Sequence, residues 1–273
     1  MIQSTKQKSR DFDDRRVMGT DGMDFDGKTA IVTGGAQGMG RATALAFLRQ
    51  GAHVVVGDVD EAAGRALAEE AGSGLVFQRC DMARETDVEA LVATAVDRFG
   101  KLDAIFNNAG IEQPVTPSHE LTEAMFDRVI SINLKGVFFG CKHAIRAMLK
   151  TGGGAIVNNS SVSAFANVGG NLSYASSKGG IMSMTRVLAI EYAARGIRVN
   201  AINPGVIDTG MNRRNLELAE DPVALEAKWR SITPRGRMGT GEEIAQTVLF
   251  LCSPGAGFIT GVGLLVDGGR VAT

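Results

Sequence analysis

Tyr174 and Lys178 stand four positions apart in Tyr174-Ala175-Ser176-Ser177-Lys178, and Ser161 precedes the tyrosine by thirteen. In a helix, positions i and i+4 share one face, which brings an ammonium beside a phenol. A free phenol has a pKa of about 10 and is a poor base at neutral pH, but a fixed positive charge nearby favours tyrosinate. Lowering that pKa by three units would take roughly 4 kcal/mol of differential stabilisation. A tyrosine tuned in this way can exchange a proton with a substrate. The same spacing also fits an ordinary surface helix carrying an aromatic and a lysine, so the reading depends on what surrounds the pair.

A second stretch, Thr33-Gly34-Gly35-Ala36-Gln37-Gly38-Met39-Gly40, follows the apolar run Thr29 to Val32 and precedes a helix pattern that starts at Arg41. Strand, glycine loop and helix N-terminus together form an anion site. Glycines let the backbone approach a pyrophosphate, and the first N–H groups and dipole of the helix face it. The spacing is G-x-x-x-G-x-G rather than G-x-G-x-x-G, and a glycine loop alone can be no more than a turn. The candidate contacts here are Gly34, Gln37, Gly38, Met39 and Gly40. Another apolar run, His53 to Gly57, ends in Asp58, twenty residues after Gly38. A carboxylate at that strand end is placed to accept hydrogen bonds from an adenosine ribose and to repel a 2′-phosphate. Ala36, Gln37 and Val59 add no basic charge, so NAD is expected over NADP.

These residues need a scaffold, and the chain supplies alternating strands and helices. Glu61 to Ala71 reads as helix, Leu75 to Phe77 as strand, Glu85 to Phe99 as helix and Leu102 to Phe106 as strand. Repeated βα units specify a parallel sheet covered on both faces. Asp81 and Met82 then fall just past the third strand, and Asn107-Asn108-Ala109-Gly110 just past the fourth, at the carboxyl ends where such sheets bind ligands. Asn-Asn-Ala-Gly also reads as a plain polar turn. A long helical region runs from Thr122 to Lys150, with Asn133 interrupting its apolar pattern as a local kink. Ala155 to Val157 is a fifth strand that leads directly into Ser161. Tyr174 and Lys178 open the next helix, whose stripe of Ile181, Met184 and Leu188 is core. A sixth strand, Arg198 to Ile202, stops at Asn203-Pro204-Gly205. From Asp208 to about Arg230 the pattern loosens into a mobile segment over the site, or into two short solvated helices with no closing role. Thr240 and Glu243 form a capping box for a helix to Cys252, and Gly263 to Val266 is a seventh strand.

The bulk composition excludes several classes. With 273 residues, 44% hydrophobic and 22% charged, the chain can bury one substantial core, and residues 25 to 273 read as one domain. Its 35 glycines cluster between apolar runs, as many strand-to-helix turns require. A net charge of −1 with no basic block argues against nucleic acid as a partner. No apolar run reaches the roughly 20 residues a membrane span needs. Cys80, Cys141 and Cys252 are odd in number and form no C-x-x-C, and His53, His119 and His143 lack metal-ligand spacing, so neither a disulfide framework nor a metal site is expected. Residues 1 to 24 are polar and of mixed charge without an apolar h-region; they read as a disordered extension, and the expected location is cytoplasmic.

Taken in order, Thr33-Gly34-x-x-x-Gly38-x-Gly40, Asn107-Asn108-Ala109-Gly110, Asn133, Ser161, Tyr174-x-x-x-Lys178 and Asn203-Pro204-Gly205 resemble the short-chain dehydrogenase/reductase family over residues 25 to 270. The resemblance implies a single-domain, doubly wound, Rossmann-like α/β fold with a seven-stranded parallel sheet. It implies a catalytic tetrad of Asn133, Ser161, Tyr174 and Lys178. It places Asp81 near the adenine, Asn108 at the adenosine ribose, Lys178 at the nicotinamide ribose, and the segment from Pro204 through Gly205 and Ile207 to Thr209 along the nicotinamide. It also implies a homotetramer paired through the long helices and the C-terminal strand.

The reaction expected is reversible hydride transfer between NAD(H) and a secondary alcohol or ketone. Tyr174 moves the hydroxyl proton, Lys178 lowers the tyrosine pKa, Ser161 bonds the substrate oxygen and Asn133 supports a water link from Lys178 to solvent. The pocket edges expected are Ile111 to Ser118, Ala164 to Asn171 and the 208 to 230 segment. They are mostly uncharged apart from Glu112 and Gln113, which suits a neutral cyclic or aryl alcohol or diol, unless Arg213 or Arg214 points inward. One rival is an NADPH-dependent ketone reductase, such as a 3-oxoacyl carrier-protein reductase, which Asp58 disfavours. The other is a non-catalytic NAD-binding scaffold or sensor, which the intact Ser161, Tyr174 and Lys178 disfavour.

Overall fold

Apolar runs too short to make helices form the strands β1 (Thr29–Thr33), β2 (His53–Asp58), β3 (Leu75–Arg79), β4 (Ala104–Asn107), β5 (Gly154–Asn159), β6 (Ile197–Pro204) and β7 (Gly263–Val266), buried on both faces except at the edge strands β3 and β7. They make one parallel sheet in the order β3-β2-β1-β4-β5-β6-β7 in a computed structural model that describes residues 23–167 and 169–272. Between them lie α1 (Gly38–Arg49), α2 (Glu61–Ala71), α3 (Glu85–Phe99), α4 (Glu123–Ile130), α5 (Gly136–Thr151), α6 (Leu172–Tyr192), α7 (Gly210–Glu217), α8 (Pro222–Ser231) and α9 (Gly241–Cys252).

The two-residue period of the strands divides the core into two layers. Val32, Val54, Val56 and Phe106 pack with Phe47 of α1 and with Ile244 and Val248 of α9. Ile31, Val55, Ile105 and Ile156 pack on the other face with Leu91 of α3, Val137 of α5 and Ile181 of α6. Each such side chain stabilises the fold by roughly 1.5–3 kcal/mol when fully buried. The resulting doubly wound sheet changes direction between β1 and β4, and that change opens a crevice at the carboxyl ends of the strands.

Several boundaries differ from the sequence reading. α1 begins at Gly38, three residues before the expected Arg41, so the glycine motif itself opens the helix. β4 starts at Ala104 rather than Leu102. The apolar stripe of α6 is rotated: Ile181 is buried, but Met182, Thr185 and Ala189 complete the buried face, while Met184 and Leu188 are half-buried at its edge. The kink expected at Asn133 is a π turn, Ser131–Lys135, joining α4 to α5. The loose 208 to 230 segment is the pair of short helices α7 and α8, with no buried residue in either. The extension expected over residues 1–24 lies outside the described residues up to position 22; Met23 packs on the core and Phe25 is buried within it.

Candidate active site

The crevice between β1 and β4 is shaped first by glycine. Gly34 (φ 60°) and Gly38 (φ 55°) adopt the left-handed region, and a side chain on Gly40 would collide with the Gly34 carbonyl oxygen. This tight turn delivers the start of α1 to the sheet rim. The N-cap residue Gln37 makes no side-chain capping bond, and no acidic residue sits in the first turn. The first N–H groups of α1 are therefore left for a ligand anion, which the helix dipole also favours. The Asp58 carboxylate accepts from the Ala36 N–H at 3.0 Å and ties the loop to the end of β2. Thr33 Oγ1 accepts from the N–H groups of Asn108 and Ala109, at 3.0 Å and 3.1 Å. Asn108 Nδ2 donates back to the carbonyls of Thr33 and Gly34, both at 3.0 Å. The amide of Asn108 is thus a splint for the glycine loop as well as a wall of the crevice.

At the other end, the first turns of α6 present Tyr174 and Lys178. Lys178 Nζ lies 5.3 Å from the centre of the tyrosine ring and donates to the Asn159 carbonyl at 2.7 Å. Burial pulls the Lys178 ammonium down to about 8, against a smaller upward pull from Glu112. Burial pushes the Tyr174 phenol above its usual range, Glu112 adds to this, and a hydrogen bond with Ser161 opposes it. The expected lowering of the tyrosine by Lys178 does not emerge in the protein alone, because loss of solvent acts on both groups more strongly than they act on each other. Asn133 is fully buried; its Oδ1 accepts from Ile111 N–H at 2.8 Å and its Nδ2 donates to the Ile111 carbonyl at 2.9 Å. Its oxygen and Lys178 Nζ both border Gly110, where a Cβ would sit 3.3 Å and 3.7 Å from them.

Of the expected residues, Gly34, Gln37, Gly38, Met39, Asp58, Val59, Asp81, Met82, Asn108, Ala109, Gly110, Tyr174, Lys178 and Thr209 line one crevice of about 740 Å³. Gly40, Asn133 and Ser161 stand behind this wall: Gly40 under the loop, Asn133 against Ile111 and Ser161 against the phenol. Pro204, Gly205 and Ile207 do not line it. Gly205 passes so close to β7 that a Cβ would lie 2.9 Å from Asp267 Cα, and Ile207 lines a separate cavity of about 520 Å³ with Asp267 and Arg235. No described residue of the 164–171 segment lines the crevice either. Gln113, expected at the pocket edge, is buried and accepts from the N–H and hydroxyl of Ser173, so it serves to hold the first turn of α6. Arg214 does border the crevice, whereas Arg213 turns to Asp208 at 2.7 Å. Thr33, which opens the glycine motif, and Asn159 also hold the site together; their contacts run to distant backbone and to a distant lysine, which no local pattern signals.

A model of the short-chain dehydrogenases described as enoyl-(acyl carrier protein) reductase matches residues 34–270. The chain belongs to the short-chain dehydrogenase/reductase family. Among relatives in that family it is 43% identical to cis-4-hydroxycyclohexanecarboxylate dehydrogenase of Sinomonas cyclohexanicum, covering 91% of this chain and 98% of the relative. It is 41% identical to 2,5-dichloro-2,5-cyclohexadiene-1,4-diol dehydrogenase of Sphingobium indicum, over 91% and 99% of the two chains. The crystal structure of levodione reductase superposes with a TM-score of 0.88 at 36% identity, over 91% of this chain and 99% of the other. As a short-chain dehydrogenase/reductase the chain is an oxidoreductase that takes a nicotinamide cofactor.

Proposed function

We propose that this protein reversibly oxidises a neutral cyclic secondary alcohol to its ketone, using NAD in preference to NADP. The observation that carries the reading is the placement of Tyr174 and Lys178 in the same crevice as the uncapped start of α1 and the Asp58 carboxylate. The crevice fits such a cofactor. The open N–H groups of α1 would hold its pyrophosphate, and Asp58 and Asp81 flank the end where the adenosine would lie. The basic residues that line the crevice, Arg128 of α4, Lys178 of α6 and Arg214 of α7, belong to other elements than the glycine loop and the end of β2 that carry Gln37, Asp58 and Val59. The nicotinamide ring, when bound, supplies the hydride acceptor or donor. The protein's own residues supply binding and proton handling. Ser161 and Tyr174 hold the alcohol oxygen, Tyr174 takes its proton in oxidation and returns one in reduction, and Lys178 keeps a positive charge beside them. The Asn159 carbonyl orients that ammonium, and Asn133 fixes the neighbouring Ile111 backbone. General acid–base help of this kind contributes roughly 10² to 10⁴ in rate.

Relatives named for a hydroxycyclohexanecarboxylate and for a cyclohexadienediol support a six-membered ring carrying a secondary alcohol, and the second of them supports a neutral diol. The exposed apolar side chains Phe138 on α5, Val187 and Ile190 on α6 and Leu265 on β7 support a homotetramer that pairs through those elements. Residues 25–273 are the unit that carries the reaction. Among the described residues no helix is long and apolar enough to cross a membrane, and we place the enzyme in the cytoplasm.

Steady-state rates with NAD⁺ and NADP⁺ side by side, over cyclic alcohols, diols, sugars, hydroxysteroids and hydroxyacyl thioesters, test this reading. Both directions should slow as pH rises through about 8, because Lys178 there loses the positive charge that it holds beside Tyr174. Equal or better rates with NADP⁺ would overturn the cofactor choice. Cofactor binding without hydride transfer to any substrate would overturn the reaction.

A further inference from the structure

Among the described residues, Glu112 is the carboxylate lining the crevice whose charge acts on both Tyr174 and Lys178. Its backbone is held on both sides. Ile111 before it is clamped at N–H and carbonyl by Asn133, and Gln113 after it is anchored to Ser173 and to the Gly170 carbonyl at 3.2 Å. The side chain therefore leaves a fixed stem and reaches across the crevice, where Oε2 accepts from Asn215 Nδ2 of α7 at 2.9 Å. Among the described residues no other donor bonds it, and no lysine or arginine pairs with it, so Oε1 keeps its full capacity to accept. The hydrogen bond of the Lys178 ammonium goes to the Asn159 carbonyl, and among the described residues none runs from it to Glu112. A partly buried carboxylate oxygen in a substrate crevice calls for a donor, and charge-assisted hydrogen bonds are the stronger kind.

We infer that Glu112 is a specificity-determining residue that receives a second hydroxyl of the substrate, so that the protein selects diols over simple alcohols and rejects carboxylates. The inference rests on the alcohol dehydrogenase reading above and names the substrate class within it. Geometry assigns the roles. The reacting oxygen is held at Ser161 and Tyr174, and the second hydroxyl donates to Glu112 Oε1. A substrate carboxylate brought to the same place would face a like charge. Arg128 of α4 and Arg214 of α7 border the crevice from exposed positions, and neither makes an ion pair with Glu112.

The test uses the full-length protein with NAD⁺ and four probes: cyclohexanol, cyclohexane-1,2-diol, cyclohexane-1,4-diol and 4-hydroxycyclohexanecarboxylate. Wild type should favour the better diol over cyclohexanol by at least about tenfold in kcat/KM, the size expected for one hydrogen bond to a charged acceptor. Glu112→Gln keeps an acceptor for Asn215 and replaces the free acceptor by a donor. It should lower the diol-to-cyclohexanol ratio roughly tenfold or more, through KM, and raise the relative rate with the carboxylate. Asn215→Ala removes the α7 contact alone and should move that ratio less than threefold. Melting temperature and cofactor Kd of each variant report folding and the cofactor half separately. Turnover of cyclohexanol without a diol preference, an equal loss on all probes in Glu112→Gln, a matching loss in Asn215→Ala, or a wild-type preference for the carboxylate would each overturn the role of Glu112. Cofactor binding with no turnover of any probe would instead overturn the dehydrogenase reading beneath it.

Discussion

The two ends of the crevice are built from different materials. The end proposed for the adenosine rests on the carboxyl ends of β1, β2 and β4, strands whose residues are almost all buried, and it is closed by backbone groups and by Asp58. The end proposed for the substrate leans on α7, which has no buried residue, and on the loop after Gly110, which is pinned at Ile111 and Gln113. A rim made by a packed sheet is rigid because moving it would disturb both core layers. A wall made by a short helix on the surface can change without cost to the core. The cofactor half is therefore the part that a fold dictates, and the substrate half the part that side chains on two small elements decide.

Substitutions can break that contrast. The largest effect belongs at the junction of the halves: Tyr174→Phe should lower kcat by about 10² to 10⁴ while cofactor Kd, read by NADH fluorescence, stays within twofold. Next comes Lys178→Met, read by thermal or urea unfolding of the cofactor-free protein. Lys178 falls from 10.5 to about 8 on folding, so between those values the unfolded chain binds more protons and wild-type stability rises with pH. The stability of wild type relative to the variant should therefore climb by about 3 kcal/mol between pH 7 and pH 10.5, and a flat difference would contradict the buried charge. Asp58→Asn should reduce kcat/KM with NAD⁺ by roughly ten- to a hundredfold and narrow the gap to NADP⁺, as loss of a charged acceptor predicts. The smallest effect is expected at the surface wall, where Asn215→Ala should shift global stability by less than about 0.5 kcal/mol in urea titration. A larger loss there would mean that α7 belongs to the rigid half.

The same contrast governs what could be read from the sequence. The helices Glu85–Phe99 and Gly241–Cys252, the second with its Thr240 and Glu243 capping box, and the strand Gly263–Val266 have the expected bounds because local periodicity and capping chemistry specify them. The glycine loop, Asp58, Tyr174 and Lys178 were legible for the same reason, since each combines an unusual residue type with a strand end or a helical spacing. The start of α1 was not, because glycine is a poor helix former and its presence at Gly38 answers to the ligand side of the turn. The hold of Gln113 on α6, across 60 residues, leaves no local trace. Nor does the carbonyl of Asn159, since a backbone acceptor has no letter of its own. Pro204, Gly205 and Ile207 lie in the right segment, yet packing against β7 and the neighbouring cavity turns them away from the crevice.

The π turn at Ser131–Lys135 has a consequence for how α4 and α5 face their neighbours. One residue inserted in a helix rotates everything beyond it by about 100°. The turn therefore acts as a phase shifter, letting α5 lay its apolar stripe on the sheet while Asn133 aims its amide at Ile111. Deleting a single residue there would restore one smooth helix with more regular hydrogen bonds. That improved helix would no longer hold both faces in register, and the backbone under Glu112 would lose its clamp.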